Sequence, residues 1–190
     1  MPRDIIQTDR PSDFVKLAKT LGYDTLCVLS SQQKKDEIID GIRIIWIRIM
    51  EPAKFLAGKH NEKIAIQSSP SDRGVLERTP FLLYNLETSE RKDAHHFRSS
   101  GLNHITCKLA GKTRIGLSLS LMHLARRAHK PEIVGRIIQN IRLCRKYNVR
   151  MVAGSFATEP IDMRSPHDVA ALLRVLGMNA DQAKDAQELR

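Results

Sequence analysis

The side chains best suited to chemistry in this sequence are basic, and they are concentrated in one stretch. The chain has 31 Lys and Arg against 21 Asp and Glu, a formal net charge of +10. Residues 101–150 hold seven Arg, four Lys and one acid, Glu132, so this stretch supplies the whole excess. Clustered arginines are typical of phosphate-binding surfaces, because the guanidinium fork matches phosphate oxygens. We therefore predict a nucleic-acid partner; a basic surface that serves only solubility is the alternative.

The aromatic residues indicate which feature of a nucleic acid is bound. They make up 5% of the chain and are scattered: five Phe, three Tyr and one Trp. Proteins that stack on bases group such side chains on one platform, and the sequence has no such group. We expect binding to the backbone of a folded RNA or DNA rather than to splayed bases.

Motifs for phosphate-loop, serine-hydrolase and zinc-protease chemistry are missing from the sequence. It has no GxxxxGK[ST], no GxGxxG after a strand, no GxSxG and no HExxH. The adjacent His95 and His96 cannot both face one metal from a regular strand. We expect no metal bound by this chain.

The three cysteines, Cys27, Cys107 and Cys144, are widely separated and each lies in an apolar run. This spacing predicts buried thiols rather than a disulfide or a zinc site. The alternative is a nucleophilic Cys107 whose pKa is lowered by Lys108.

A polar, charged segment at residues 90–101 is long enough to be a functional loop. At the carboxyl end of a barrel it would present Arg91, Lys92 and Arg98 together; a purely solvated loop is the alternative. Next to it, His104 is predicted to open a strand beside Lys108. That histidine is either a nucleic-acid contact or a hydrogen-bonded structural residue.

Short β-rich runs, alternating with helical or irregular segments, must position these side chains. They predict eight strands, at residues 4–7, 25–29, 42–50, 64–67, 82–86, 105–109, 115–119 and 151–154. Residues 30–37 are predicted to be a loop or a short helix. The run at 42–50 is either a buried strand or an apolar surface for a partner.

Helix signals flank several of these strands. Ser12 is predicted to cap a first helix that Gly22 ends. The strongest helix has Glu132 in its first turn, an apolar stripe through Cys144 and a left-handed stop at Asn148. Near the end, residues 165–168 form a capping box for a helix closed by Gly177, and Asn179 caps residues 180–189.

Repeated strand–helix units imply a parallel sheet, and 190 residues predict one domain over residues 1–190. A full β/α barrel usually needs about 250 residues, so several crossovers must be short. No apolar span approaches the roughly 18 residues of a membrane helix. Asp4, Asp9 and Asp13 interrupt any signal-peptide pattern. We expect a cytoplasmic protein.

Three stretches, in consistent order and spacing, match motifs of one known family. They are residues 100–110 (SGLNHITCKLA) with 115–120 (IGLSLS), residues 136–147 (RIIQNIRLCRKY), and residues 163–169 (MRSPHDV) with 176–178 (LGM). They resemble the family of ribonuclease P protein component 3. The resemblance covers residues 97–180; before residue 97 it includes only Asp4 and the Gly22–Tyr23 turn.

The resemblance implies a distorted TIM-like β/α barrel of the PHP phosphoesterase type, with C-terminal helices and without the metal-binding histidines. It implies an RNA-binding subunit of the ribonuclease P endoribonuclease, which removes the 5′ leader from precursor tRNA. Catalysis would belong to the RNA and its Mg²⁺ ions, with no cofactor bound by this chain. The implied partners are the ribonuclease P RNA, a smaller ferredoxin-like subunit (with a heterotetramer as one stoichiometry), other ribonuclease P proteins and, indirectly, precursor tRNA.

Two other functions compete with this one. A metal-dependent PHP-type phosphoesterase would need an HxH in the first strand, which here reads DIIQT at residues 4–8. A sugar-phosphate enzyme of the barrel type would need a catalytic carboxylate pair, and none is recognisable.

We predict nine RNA contacts. Arg164 is included because it precedes the Ser165–Pro166 cap, where the last strand leads into a helix and barrel proteins bind phosphate. Pairing of Arg164 with Asp162 or Asp168 is the alternative. The predicted set is Arg78, Arg91, Lys92, Arg98, His104, Lys108, Arg114, Lys146 and Arg164.

Overall fold

Seven parallel strands with helices between them form a nearly closed barrel in the computed structural model, which describes residues 2–69, 72–88, 92–111, 113–118 and 132–188. In sheet order they are β1 (Arg3–Gln7), β2 (Thr25–Ser30), β4 (Ile42–Ile49), β5 (Ile64–Gln67), β6 (Leu82–Tyr84), β7 (Arg114–Ser118) and β8 (Met151–Gly154). The short strand β3 (Glu37–Ile39) pairs antiparallel with β4. The predicted distorted β/α barrel is confirmed.

The seam between β8 and β1 is closed partly by the residues after β8. The Phe156 N–H donates to the carbonyl of Ile5 (2.7 Å), and the Gln7 N–H donates to that of Ala157 (2.8 Å). Lower in the seam, the Ala153 and Arg3 N–H groups donate to carbonyls of residues 186 and 187 near the C-terminus (2.7 and 3.2 Å). The C-terminal segment therefore replaces direct strand pairing at the amino end of the seam.

A carboxylate lies buried in the same seam. Asp4 accepts hydrogen bonds from the N–H groups of Ile5 (2.9 Å) and Ser155 (2.7 Å) and from the Ser155 hydroxyl (2.7 Å). Burial raises the pKa of Asp4 to about 6, although these hydrogen bonds favour the charged form. Asp4 thus links β1 to the end of β8 at a cost in desolvation.

Seven α-helices are described: α1 (Ser12–Leu21), α2 (Pro52–Ala57), α3 (Asp72–Glu77), α4 (His104–Ala110), α5 (Glu132–Lys146), α6 (Pro166–Val175) and α7 (Ala180–Asp185). Single 3₁₀ turns lie at Leu86–Thr88 and Pro160–Asp162. No helix in the described ranges is long and apolar enough to cross a membrane.

Most of the predicted helix ends are confirmed. Gly22 and Asn148 have left-handed backbones (φ 87° and 53°), and the Ser165 hydroxyl accepts from the Asp168 N–H at the start of α6. Asn179 caps α7, which ends at Asp185 rather than continuing to residue 189. The prediction for Ser12 was wrong: Pro11 is the N-cap of α1, and the Ser12 hydroxyl donates to Asp13 instead.

The predicted strand at residues 105–109 was wrong, because this run is helix α4. The Asn103 side chain accepts from the N–H groups of Ile105 (2.8 Å) and Thr106 (3.0 Å), and the Thr106 hydroxyl accepts from the Asn103 N–H (2.8 Å). This capping box fixes a helix start. Thr106, Cys107 and Ala110 are buried at helical spacing, which a five-residue apolar run does not reveal.

Strand β3 was absent from the prediction, which made residues 30–37 a loop or short helix. Residues 31–36 are a loop, and β3 returns into β4 through Asp40 and Gly41, both with positive φ (48° and 82°). An Asp-Gly pair is a strong hairpin signal.

The apolar run at residues 42–50 is a buried strand and not a partner surface. Ile42, Ile44 and Ile47 are at most 3% exposed. Ile45 and Ile47 belong to a cluster that fills the barrel and takes residues from β1, β2, β4, β5, β6 and β8. The alternating residues of β4 pack outward, with Phe14 and Ala18 of α1 in one cluster.

Candidate nucleic-acid interface

The loop that follows β6 is held against α5 by a carboxylate–guanidinium pair. Arg136 of α5 donates to Oδ1 of Asp93 from Nε (2.8 Å), and its Nη2 lies 2.8 Å from the same oxygen. The Ser99 N–H also donates to Asp93 (2.8 Å). Burial raises the pKa of Asp93, but the hydrogen bonds and charge of Arg136 outweigh it, and the pKa lies below its usual value. Asp93 is therefore an anionic anchor for the loop.

Polar residues on one side of α5 complete this attachment. Arg136 is only 6% exposed and also donates to the carbonyl of Glu87 (3.1 Å). Gln139 accepts from the Arg98 N–H (3.2 Å) and donates to the Arg98 carbonyl (2.8 Å). The buried Asn140 donates to the Ser100 carbonyl (3.0 Å). The backbone of residues 93–100 is thus fixed by side chains at helix positions 136, 139 and 140.

Sequence reasoning missed this role of α5. From the sequence, Arg136 is only one of the seven arginines in the basic stretch at residues 101–150. The only signal was the spacing itself, since positions 136, 139 and 140 share one helical face. A partner 43 residues earlier is not readable from that spacing.

Arg98, one of the predicted contacts, is positioned against the same helix. Its guanidinium lies 3.5 Å from a carboxylate oxygen of Asp93, and its side chain is 48% exposed. A Cβ added at Gly135 would lie 2.4 Å from the Arg98 Cζ, so the close approach requires glycine. Arg98 is therefore oriented and still accessible to a ligand.

The other predicted residues of this end are also exposed. Lys92 lies in the loop, and His104 and Lys108 lie one turn apart on α4, where the i and i+4 positions share a face. His104 opens a helix and not the predicted strand, but it remains beside Lys108. The predicted grouping of Arg91 with Lys92 and Arg98 falls partly outside the described residues, because Arg91 lies there.

Three predicted contacts lie at the opposite end of the barrel, where the strands begin. Arg78 precedes β6 and donates to the Gly58 carbonyl (3.0 Å). Arg114 is the first residue of β7, and Lys146 is the last residue of α5 before β8. Parallel strands begin at one end and finish at the other, so the predicted set does not form a single site.

Arg164 lies ten residues beyond the end of β8, not directly at the strand end as predicted. Its Nη1 donates to the carbonyls of Ile161 (2.8 Å) and Met163 (2.6 Å). The Tyr23 hydroxyl donates to the Arg164 carbonyl (2.8 Å), which ties this turn to the segment leading into β2. The contacts of Arg164 within the described residues are therefore backbone groups, rather than the carboxylates of Asp162 or Asp168.

The cysteines are buried thiols, as predicted. Burial raises the pKa of Cys107 to about 11 and that of Cys27 to about 12, and it also raises the pKa of Cys144. A thiolate nucleophile at Cys107 is opposed by this desolvation. Across the described ranges, no group of three or more His, Cys, Asp or Glu side chains is placed to hold a metal.

These features define a distorted β/α-barrel protein with a basic loop fixed to a helix at the carboxyl end of its strands. Residues 92–189 match the family model described as RNase P subunit p30. The chain belongs to this family, and the resemblance at residues 97–180 is confirmed.

Individual relatives agree with the family match. Ribonuclease P protein component 3 from Methanosarcina barkeri is 34% identical over 91 residues, which are 47% of this chain and 38% of that protein. The protein of the same name from Methanococcoides burtonii is 23% identical over 184 residues, 90% of this chain and 75% of that one. The match to the first relative thus spans little more than a third of its length.

A solved structure shares the fold. A chain in the cryo-EM structure of archaeal ribonuclease P with mature tRNA has a TM-score of 0.75 and 18% identity to this one. The similarity covers 98% of this chain and 87% of that chain. It supports the barrel architecture over nearly the whole sequence.

Proposed function

We propose that this chain is an RNA-binding protein subunit of ribonuclease P, which supports the catalytic RNA in removing the 5′ leader from precursor tRNA. The observation that carries the proposal is the loop at residues 92–101, fixed by Arg136 through Asp93 and presenting Arg98 and Lys92. The loop, α4 and α5 all lie within the family match. The net charge of +10 suits a polyanionic partner.

The mechanism is charge neutralisation. Cationic side chains on the loop and α4 offset repulsion between close phosphates, so the active RNA fold is populated at lower Mg²⁺ concentration. In this account the Mg²⁺ ions and the chemistry belong to the RNA, and the chain supplies position and charge. Orienting Arg98 in advance limits the side-chain entropy that is lost on binding.

The proposed contacts at this end are Lys92, Arg98, His104 and Lys108, with Arg91 as a predicted neighbour. His104 and Lys108 extend the proposed contact surface from the loop along α4. By family resemblance, the protein partners are a ferredoxin-like subunit and other ribonuclease P proteins, and precursor tRNA is contacted indirectly. The apolar side chains Ile42, Ile44 and Ile47 of β4 are buried in the fold, so we do not propose this strand as the partner surface.

Salt dependence of binding to the ribonuclease P RNA of the source organism tests the proposal. Each neutralised phosphate should contribute about 0.7 to 0.9 to the log–log slope of affinity against salt. We expect the slope for the wild-type chain to correspond to several phosphates. A slope near zero, or turnover of a phosphate ester that depends on added metal, would contradict the proposal and favour a phosphoesterase.

A further inference from the structure

A cleft of about 640 Å³ opens at the carboxyl end of β5 and β6, beside the loop at residues 92–101. Its walls come from the segments that follow these two strands, from the end of the loop and from the start of α4. The pairing of Gln67 with Tyr84 brings the two strand ends together, and the Ser68 N–H donates to the Tyr84 carbonyl (2.8 Å). In β/α barrels this end of the strands is the one that carries ligand sites.

Two exposed apolar side chains line this cleft. Phe97 is 49% exposed and Ile105 is 44% exposed. The backbone of Phe97 is fixed, because its carbonyl accepts from the Ala94 N–H (2.8 Å) and its N–H donates to the Ala94 carbonyl (3.4 Å). The anchor residue Asp93 lies directly before this turn. A flat ring that stacks on Phe97 would therefore meet an aromatic face whose backbone is already ordered.

The side-chain amides of Gln67 and Asn85 also line the cleft, one at the end of β5 and the other directly after β6. Neither amide makes a hydrogen bond to another of the described residues. Asn85 has a left-handed backbone (φ 60°), which asparagine adopts more readily than most residues. Each amide offers a donor and an acceptor side by side, the pattern that reads the edge of a nucleobase. The cleft thus combines an aromatic face with two available amide groups.

The described lining of the cleft carries two charged residues, Asp72 and Arg73. Asp72 is 7% exposed and accepts from the Ser68 hydroxyl and from the Ser69 N–H (2.8 Å). The Arg73 side chain is 72% exposed and lies 3.4 Å from Glu77, an exposed pair that contributes little. Most of the accessible lining is therefore neutral, and its accessible charge is a cation. This distribution suits an uncharged base on an anionic backbone better than it suits a free phosphate.

We propose that this cleft binds one unpaired nucleobase of the ribonuclease P RNA. The Phe97 ring stacks on the base, and the amides of Gln67 and Asn85 bond to its edge. Arg73 lies near the adjoining phosphate. The inference rests on the proposed function and adds a base contact to its backbone contacts. The aromatic residues of the chain are too scattered for an extended stacking platform, but a single base needs only one ring.

Phe97→Ala tests the stacking contact, with Val175→Ala as the matched control. Val175 is an exposed apolar residue at the end of α6 and does not line the cleft. We expect Phe97→Ala to weaken binding to the RNA about tenfold with an unchanged salt slope, because stacking neutralises no phosphate. Val175→Ala should match the wild type, and Phe97→Tyr, which keeps an aromatic face, should retain most of the affinity. Equal RNA affinities for Phe97→Ala and Val175→Ala would overturn the proposal.

Asn85→Gly and Gln67→Ala test the contacts to the edge of the base. Glycine accepts the left-handed backbone at position 85, so the first variant removes the amide without strain. Gln32→Ala, at an exposed glutamine outside the cleft, is the control and should match the wild type. Each cleft variant should weaken RNA binding about threefold or more. Wild-type affinity in both cleft variants would show that no base is read here.

Phe97→Trp gives a readout that does not depend on affinity. The native chain has one tryptophan, Trp46, which is 6% exposed. An indole at position 97 should stack on the base, so its fluorescence should fall when the RNA is added at saturating concentration. Val175→Trp, far from the cleft in sequence and absent from its lining, should show no such fall. An undiminished signal from position 97 in the saturated complex would overturn the proposal.

Arg98→Gln, assayed in parallel, separates this proposal from the proposed function. It should weaken RNA binding and lower the salt slope by about one, since it removes a phosphate contact. If it does so while the Phe97 and Asn85 variants bind like wild type, the cleft proposal is wrong and the proposed function stands. If Phe97→Ala keeps its RNA affinity and instead loses association with the other ribonuclease P proteins, the cleft is a protein-docking surface and the proposal is again wrong. If the wild-type chain binds no RNA, the proposed function itself fails.

Discussion

Arg136 and Asp93 form a two-point pair that holds a surface loop against a helix more than forty residues away in sequence, with both nitrogen–oxygen distances at 2.8 Å. The guanidinium is nearly inaccessible, and its remaining nitrogen binds the Glu87 carbonyl. The buried cation Arg136 thus orders the backbone segment that carries the exposed cations Lys92 and Arg98.

Arg136→Ala should destabilise the fold and loosen the loop together. Removing the guanidinium leaves the Asp93 carboxylate without its main partner, and we expect a loss of about 2–4 kcal/mol in the free energy of unfolding. Urea denaturation measures this. Arg142→Ala, an exposed arginine on the same helix, should stay within about 0.5 kcal/mol of wild type. Equal stabilities for the two variants would show that the pair contributes nothing.

Gly135→Ala should displace Arg98 without unfolding the protein. The new methyl group meets the far end of a flexible side chain, which can move, and alanine favours the helix by up to about 1 kcal/mol over glycine. We expect an unchanged or slightly raised melting temperature and weaker RNA binding. Gly74→Ala in α3 is the control, because its nearest contacts are ordinary, at 3.9 Å from Leu56. Undiminished RNA affinity for Gly135→Ala would mean that the position of Arg98 does not matter.

Arg98→Ala should weaken RNA binding and leave thermal stability nearly unchanged. Its ion pair with Asp93 is half exposed, and such pairs contribute under about 1 kcal/mol. Calorimetry measures whether Arg98 contributes to stability, and RNA titration of the same preparation measures whether its charge contributes to binding. A large fall in melting temperature would place Arg98 in the fold instead of the interface.

Asp4 should make the free energy of unfolding fall as the pH rises, which is the opposite of the usual effect of a carboxylate. Its pKa is raised to about 6 from 3.8, so the folded state binds the proton more tightly than the unfolded state. The stability contributed by this group is full below about pH 4 and is lost as the pH rises through about 6. The difference in unfolding free energy between wild type and Asp4→Asn should fall by about 2–3 kcal/mol across that window. A flat difference would contradict the raised pKa.

The sequence predicts the architecture well where one element carries its own signal. The isoleucine-rich run of β4 and the Ser165–Pro166 cap of α6 both follow from local preference. Helix α4 does not, because its seven residues hold too little periodicity to outweigh β-rich composition, and its capping box was not recognised. Predicting strand β3 would have required recognising Asp40–Gly41 as a hairpin turn.

The candidate site was harder to predict. Charge alone does not distinguish an arginine that binds a ligand from an arginine that holds the fold together. Arg136 and Arg98 are both cations near one loop, yet the first is buried and the second half exposed. The basic stretch at residues 101–150 contributes to both ends of the barrel, since it includes Lys108 on α4 and Arg114 at the start of β7. The direction of the parallel strands, which the sequence does not give, decides which of these cations lie at the carboxyl end of the barrel and which lie at the amino end.

The Mg²⁺ dependence of precursor-tRNA cleavage by reconstituted ribonuclease P tests the central claim most directly. The RNA and the other protein subunits are assembled with and without this chain, and cleavage is measured across a Mg²⁺ titration. The account predicts that the wild-type chain lowers the Mg²⁺ concentration needed for half-maximal cleavage, that Arg98→Ala lowers it less, and that Arg142→Ala matches wild type. Identical Mg²⁺ curves with and without the chain would contradict it.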